Sequence, residues 1–376
     1  MPVTFYRPTW VEVDLDAIRH NVVEIRKRLE DKSEVMAVVK ANGYGHGAFE
    51  VAGAALEAGA TSLGVALLEE AIELREKGIT VPILVFGWVS PYDAPIAAEY
   101  DITITFFQEE WLEEASELSY DHTLKLHMKW DTGMGRVGIR TEDELVSLLE
   151  VFKSTSKKKS FSLTGVFTHF ATADEDELDY FEMQYNRFES MLKTFNSHWD
   201  GTVNVHIGNS AASIRFPGKM QKFVRFGISL YGLYPSSTVK KEHQVELKPA
   251  FSLKCRLTHV KEVPTNESIS YGATYTTKGN EWIGTIPIGY ADGWIRKLQG
   301  MEVLVNGNRM PIVGRICMDQ SMVKLDRYYP VGTLVTLSGK QKGDIIEMDE
   351  IADYLDTINY EISCNITSRV PRIYSH

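Results

Sequence analysis

A TIM-type (β/α)8 barrel, class α/β, followed by a smaller, mainly-β domain is the architecture this sequence predicts, and three observations carry it. Eight short apolar runs alternate with amphipathic stretches between residues 14 and 230, the count such a barrel needs and more than the roughly five to seven strands of a doubly wound sheet. After about Pro235 the texture changes to β-branched and aromatic runs broken by Gly, Asn and Pro, the signature of short strands and turns. Length agrees, because 376 residues exceed one ordinary core.

The elements follow in order. Asp14 or Asp16 caps a helix through Leu29, with Ile18, Val22, Ile25 and Leu29 at helical spacing. Strands are expected at 35–39, 62–66, 82–87, 102–106, 124–130, 163–168, 203–207 and 223–230. Between them the periodicity predicts helices at 49–58, 67–77, 94–100, 109–118, 142–152, 178–195 and 211–214. Beyond the barrel, Asn306-Gly307 between two apolar runs reads as a two-residue hairpin, and one helix is expected near 347–355. The barrel is drawn over residues 13–238 and the mainly-β domain over 239–376. Lys157-Lys158-Lys159 is too short to be more than a solvated loop.

Composition narrows the function classes. Forty Lys+Arg against 51 Asp+Glu give a net charge of −11, which speaks against a nucleic-acid partner. No apolar run is long enough to span a bilayer and the N-terminus has no signal-like apolar region, so no membrane partner is expected. Cys255, Cys317 and Cys364 form no CxxC pair, so neither a disulfide framework nor a metal site is indicated, and a cytoplasmic location fits best.

In such barrels chemistry sits just past the strand ends. There the sequence AVVKANGYGHG places Lys40 after the first strand, with Tyr44 behind it. A lysine at a strand end is either a surface residue or an amine desolvated at the rim of a core, where it serves as base or Schiff-base nucleophile. The other strand ends carry Lys129 with Arg136 in WDTGMGR, then His169, then His206 with Asn209-Ser210, then Arg225-Phe226-Gly227-Ile228. His169 and His206 also read as satisfied core histidines, and Asn209-Ser210 as an ordinary helix cap. A hydroxyl and free amides after strands 7 and 8 read as a phosphate cradle. A lysine plus a phosphate cradle suggests pyridoxal 5′-phosphate, with a phosphosugar aldolase as the rival reading of the pair.

These residues, in this order, resemble the alanine racemase family. The resemblance runs through AVVKANGYGHG, KWDTGMGRVG, FTHFATAD, GNSAA, VRFGISLYG, SYGATY, IGYADGW, GRICMDQ, NYEISC and RVPRIY, nearly the whole chain. It implies racemisation of L- and D-alanine with pyridoxal phosphate, in a homodimer whose active sites are shared between subunits, supplying D-alanine for peptidoglycan. By position, Lys40 resembles the family lysine that forms the Schiff base and acts as one base, and Tyr271 in SYGATY the second base, contributed by the other subunit. Tyr44, Ser210, Gly227, Ile228 and Tyr360 are implied around the phosphate, Arg225 at the pyridine nitrogen, and His169 between Arg225 and the tyrosine. Arg136 is implied near the substrate carboxylate, held by Lys129, which the family often carries as a carbamate. Met318 resembles the position whose backbone amide helps bind the substrate, with Asp319 beside it, while Asp174, Tyr290, Arg315 and Tyr360 line the approach. The family's N-terminal strand belongs with the second domain, so residues 1–12 are expected to pair there. Gly43 stands where many members have alanine.

The chemistry agrees with that assignment. Racemisation takes the α-proton from one face and returns it on the other, so two opposed bases are needed. Both bases titrate far above neutrality when unperturbed, and a cationic surround lowers them. Arginine opposite the pyridine nitrogen, itself always protonated, disfavours protonating that nitrogen and weakens the electron sink. Three rivals stand beside this reading. A pyridoxal-phosphate binding protein would lack the second domain and SYGATY, a decarboxylase of similar fold would carry an acid in place of Arg225, and a broader racemase acting on serine or lysine is the nearest competitor.

Overall fold

The computed structural model describes residues 6–29, 33–157 and 159–376. The first five residues of the expected N-terminal strand and Lys158 of the lysine run lie outside the described residues. The structure is a closed parallel barrel plus a strand-rich C-terminal domain.

After β1 (Thr9–Asp14) and the helix Leu15–Leu29, eight parallel strands close in sequence order. They are β2 (Glu34–Val38), β3 (Ser62–Val65), β4 (Ile83–Trp88), β5 (Thr103–Phe106), β6 (Leu124–Lys129), β7 (Phe161–Phe167), β8 (Asn204–Gly208) and β9 (Phe223–Phe226). Closure is made by β2 against β9, with Met36 opposite Arg225 and Ala37 opposite Phe226. Both faces of these strands are buried, which is why they read as continuous apolar runs. Helices alternate with them, and the helix Glu142–Ser156 shows why one starts where it does. Thr141 Oγ1 accepts from the Glu144 amide at 3.2 Å while Glu144 Oε2 accepts from the Thr141 amide at 3.3 Å, a reciprocal cap. The last barrel strand stops at Phe226 rather than Leu230, because Ile228–Tyr231 turns as a 3-10 helix.

The remaining strands are β10 (Phe251–Arg256), β11 (His259–Val263), β12 (Ser268–Ile269), β13 (Tyr275–Thr276), β14 (Glu281–Ile286), β15 (Glu302–Val305), β16 (Asn308–Pro311), β17 (Ser321–Leu325), β18 (Leu334–Gln341), β19 (Asp344–Ile346) and β20 (Arg372–Ser375). One sheet runs β16-β15-β18-β10-β1-β20, with β19 on β18, and a second runs β11-β14-β17. β1 lies antiparallel to β10 and parallel to β20. The β15–β16 hairpin turns at Asn306 and Gly307, both at positive φ, as a type I′ turn requires. A second helix, Asn359–Asn365, follows Met348–Leu355 and was not anticipated, since seven residues carry too little periodicity to be read.

The chain divides into two compact units, one of residues 17–43 and 48–248 and the other of residues through Asp16, 44–47 and from 249 on. The seam therefore falls at 248/249 rather than at the composition change near 238. Asn21, fully buried in the first helix, explains why. Its Nδ2 donates to the Leu230 and Lys248 carbonyls at 3.0 and 2.9 Å, and its Oδ1 accepts from the Lys248 amide at 2.8 Å. Asn21→Ala leaves those three backbone groups unpaired and is expected to cost about 2–3 kcal/mol, read as the shift in urea midpoint.

Candidate active site

The barrel unit carries Lys40, Lys129, Arg136, His169, Asn209, Ser210 and Arg225 among the expected site residues. β2 ends at Val38, and from Lys40 the backbone enters a left-handed turn, with φ/ψ of 52/50 at Ala41, 51/50 at Asn42 and 62/45 at Gly43. Left-handed geometry costs an L-residue roughly 1–2 kcal/mol, so the turn must be held from outside. The Gly43 amide donates to the Val39 carbonyl at 2.8 Å, Asn42 Oδ1 accepts from the Ala48 amide at 3.0 Å, and Glu70 Oε1 accepts from the Ala41 amide at 2.5 Å.

Arg225, on β9, is buried inside the barrel. Its NH1 donates to the His206 carbonyl at 2.8 Å and to His206 Nδ1 at 2.9 Å. Its NH2 donates to the carbonyls of Thr168 at 2.7 Å and Ile207 at 3.2 Å, and meets His169 Nδ1 at 3.3 Å. Guanidinium only donates, so both Nδ1 atoms accept and each proton sits on Nε2, an assignment made from the network. His206 Nε2 then donates to His127 Nδ1 at 2.9 Å. Burial, reinforced by Arg225, pushes all three histidines below the ordinary imidazole range, His127 to about 3. Arg225 itself is drawn down to about 9 by burial and then by Arg136, and stays protonated at neutral pH.

Lys129 ends β6 in a buried position, its Nζ donating to the Trp130 carbonyl at 3.2 Å and lying 5.0 Å from the Phe167 ring centroid. Burial, then Arg225 and Arg136, hold it well below the lysine range. The following loop is closed by backbone bonds between Asp131 and Ile139 at 2.8 Å and between Ile139 and Lys129 at 3.1 Å. Asp131 Oδ1 accepts from the Gly133 and Gly135 amides at 3.1 and 2.9 Å, and Arg136 is exposed in that loop.

Past β8, Asn209 Oδ1 caps the helix Ser210–Arg215 through the Ala212 amide at 2.9 Å. Ser210 Oγ accepts from the Gly227 amide at 3.0 Å. First-turn amides of this helix and of Ile228–Tyr231 have no intrahelical acceptor. The buried Ser229 Oγ has no hydrogen-bond partner among the described residues. Asp174, half-buried past β7, is raised above the usual carboxylate range mainly by burial.

The second unit carries Tyr44, Tyr271, Tyr290, Arg315, Met318 and Tyr360. Tyr44 is buried with its ring centroid 6.2 Å from that of Tyr360, and burial, then Tyr360, raise its phenol so that it stays a donor. Gly45 is required here, because a β-carbon would overlap the Ser363 carbonyl. Tyr271 stands 69 % exposed on a 3-10 turn whose Gly272 lies against the Arg315 guanidinium. Ser270 Oγ donates to the Arg315 carbonyl at 2.6 Å. The Tyr290 amide donates to the Cys317 carbonyl and that of Ala291 to the Met318 carbonyl, both at 3.0 Å. Tyr271, Tyr290, Arg315 and Met318 therefore share one exposed patch, edged by Asp319, which pairs with Arg369 at 2.6 Å. His127 was not singled out from the sequence, since within LKLHMK it looks like one more inward residue of an alternating strand. His206 is buried as a core histidine, and it also holds Arg225.

Residues 13–235 match the family model described as the alanine racemase N-terminal domain, and residues 250–374 that of the C-terminal domain. The chain is 54% identical over 374 residues to an alanine racemase of Geobacillus stearothermophilus, covering 98% of this chain and 94% of that one. It is 51% identical over 370 residues to alanine racemase 1 of Bacillus subtilis strain 168, covering 98% and 94%. A crystal structure of alanine racemase from Bacillus anthracis with bound L-Ala-P matches with a TM-score of 0.95 at 50% identity, covering 100% of this chain and 96% of that one.

Because His127 and His206 are neutral in the fold but protonate near 6.5 when unfolded, the unfolded chain binds more protons below that pH and stability falls as pH drops. Each contributes a slope of up to about 1.4 kcal/mol per pH unit. Denaturant midpoints followed from pH 7 to 5 are expected to fall, and His127→Gln to flatten that fall by one histidine's share.

Proposed function

The chain belongs to the alanine racemase family and is an isomerase interconverting L- and D-alanine, and from that premise we propose that Lys40 and Tyr271 are the two bases that carry the reaction. The observation that carries this reading is the barrel interior itself, a buried guanidinium among neutral imidazoles with a lysine at the neighbouring strand end.

Pyridoxal 5′-phosphate is the cofactor we infer, and the residues present fit it. Its aldehyde needs an amine, its phosphate needs donors, and its ring nitrogen would face the buried Arg225 guanidinium. Lys40 would hold it covalently. Ser210, on the helix capped by Asn209, and Gly227 and Ile228, at the start of the 3-10 turn after β9, together with Tyr44 and Tyr360, would hold the phosphate. The buried Ser229 hydroxyl, unpartnered among the described residues, and a Tyr44 phenol kept protonated by burial, and so able to donate, support that assignment. When bound, the cofactor draws electrons from the substrate Cα and acidifies its proton.

The chain's own residues do the rest. Arg225, which keeps its proton, would leave the cofactor's ring nitrogen without one, and His169, neutral and bonded to Arg225, would relay that positive charge toward the catalytic tyrosine. Lys40 Nζ and Tyr271 Oη take and return the α-proton on opposite faces. Arg136 and the Met318 amide would bind the substrate carboxylate, with Asp174, Tyr290 and Arg315 along the approach. Lys129, whose ammonium is held well below the lysine range by burial and two arginines, suits addition of carbon dioxide to its nitrogen with loss of a proton, giving a carbamate.

A proton-transfer base works in shelter from bulk water, and Tyr271 is largely exposed in a single chain. That supports a homodimer in which a second copy covers the Tyr271 patch and each site is completed by both chains, the barrel holding the cofactor and the mainly-β domain supplying the tyrosine. We place the enzyme in the cytoplasm, making D-alanine for peptidoglycan. Supporting this, no helix among the described residues is long and apolar enough to cross a membrane, and no disulfide is present among them.

With pyridoxal phosphate, the purified protein is expected to convert L-alanine to D-alanine. No D-alanine overturns the reading, and faster turnover of serine or lysine moves it to a broader racemase. Lys40→Ala should lose the borohydride-trapped cofactor adduct and about 100- to 10 000-fold in rate. Tyr271→Phe should keep the adduct and lose reactivity mainly toward one enantiomer. A carbamate carbon signal in 13C-bicarbonate-labelled protein, absent in Lys129→Ala, is the expected result for Lys129.

A further inference from the structure

Glu70 does more than cap a helix. It occupies the third position of the helix Leu68–Glu76, where a carboxylate ordinarily bonds back to the helix start. Its Oε2 does this, accepting from the Ala66 and Leu67 amides at 2.8 and 3.2 Å. Its Oε1 points elsewhere and accepts from the Ala41 amide at 2.5 Å, the residue directly after Lys40. A helix cap does not need that second bond. Ala41 is left-handed at φ 52 and ψ 50 without being glycine, a conformation that persists only where the surroundings impose it. The other bonds within the turn act beyond Ala41, at Asn42 and Gly43.

We propose that Glu70 is a positioning residue for the reaction: its carboxylate fixes the left-handed turn at Ala41 and thereby the direction in which Lys40 leaves the barrel strand. One carboxylate ties the β3 strand end, the helix start and the lysine turn together. An amide at this position has a single acceptor oxygen and serves either the helix start or Ala41. This inference rests on the assignment of Lys40 as the cofactor lysine, so the experiment separates the two.

Amide exchange by mass spectrometry on the cofactor-free protein reports on the turn without any cofactor. In Glu70→Gln and Glu70→Ala, exchange at Ala41 is expected to rise at least about tenfold, while the protein remains folded. In the cofactor-loaded protein, the lysine-linked absorbance is expected to weaken and cofactor loss on dialysis to speed by a similar factor. Ala41→Gly, which adopts the left-handed turn without strain, should restore the absorbance in the Glu70→Ala background. Unchanged exchange at Ala41 overturns the clamp. Faster exchange with wild-type absorbance and dialysis, or a lowered melting temperature that Ala41→Gly leaves uncorrected together with the absorbance, overturns the positioning role and leaves only a cap. If wild-type protein shows no lysine-linked absorbance, the cofactor assignment fails, and the proposal with it, whatever the exchange result.

Discussion

A guanidinium buried in a barrel without a carboxylate to pair with is the constraint on which the site depends. Desolvating an unpaired charge is expensive, and Arg225 meets that cost with hydrogen bonds to three backbone carbonyls and two imidazoles. Its neighbours must then be neutral acceptors. His206 and His169 present Nδ1 lone pairs, His206 in turn fixes the tautomer of His127, and Lys129 is pushed toward the uncharged amine. A carboxylate in place of either histidine would neutralise the arginine and remove the positive field.

That field has a chemical meaning for an alanine racemase. A chain of net charge −11 keeps a cationic barrel interior around Arg225, where the proposed anionic cofactor and substrate carboxylate would be received. The opposite choice, an acid at the ring nitrogen, would let that nitrogen protonate and stabilise a long-lived carbanion. On the proposed reading the arginine would confine the chemistry to proton removal and return, and the demand on the two bases would be correspondingly strict, which would give the lysine turn its importance.

The barrel was legible because its strands are buried on both faces and so stand out as short apolar runs with β-branched residues. The Asn306-Gly307 hairpin was legible for a similarly local reason, two residues suited to positive φ. The left-handed turn was only half legible. Gly43 and Gly45 announce an unusual backbone, but Ala41 gives no local sign of its conformation, because Glu70, some 29 residues on, imposes it. The compact units divide at 248/249, past the boundary read near 238, because Asn21 ties Lys248 to the first helix and nothing in the composition near Pro235 records that bond. His127 is the clearest omission in the site. Its partner lies 79 residues away, and strand alternation alone makes it an inward side chain like any other.

The imidazole column also bears on how the barrel folds. His127, His206 and Arg225 come from β6, β8 and β9, and β9 closes the ring against β2, the first barrel strand. A partly assembled barrel that already sequestered Arg225 but lacked β8 would lose the His206 and Ile207 acceptors and leave the guanidinium only the Thr168 carbonyl and His169. Such half-closed forms are therefore high in free energy, so β8, the seventh barrel strand, is favoured to join together with its polar ligands. The bonds that hold Arg225 in the finished barrel thus make ring closure cooperative and penalise misregistered strands.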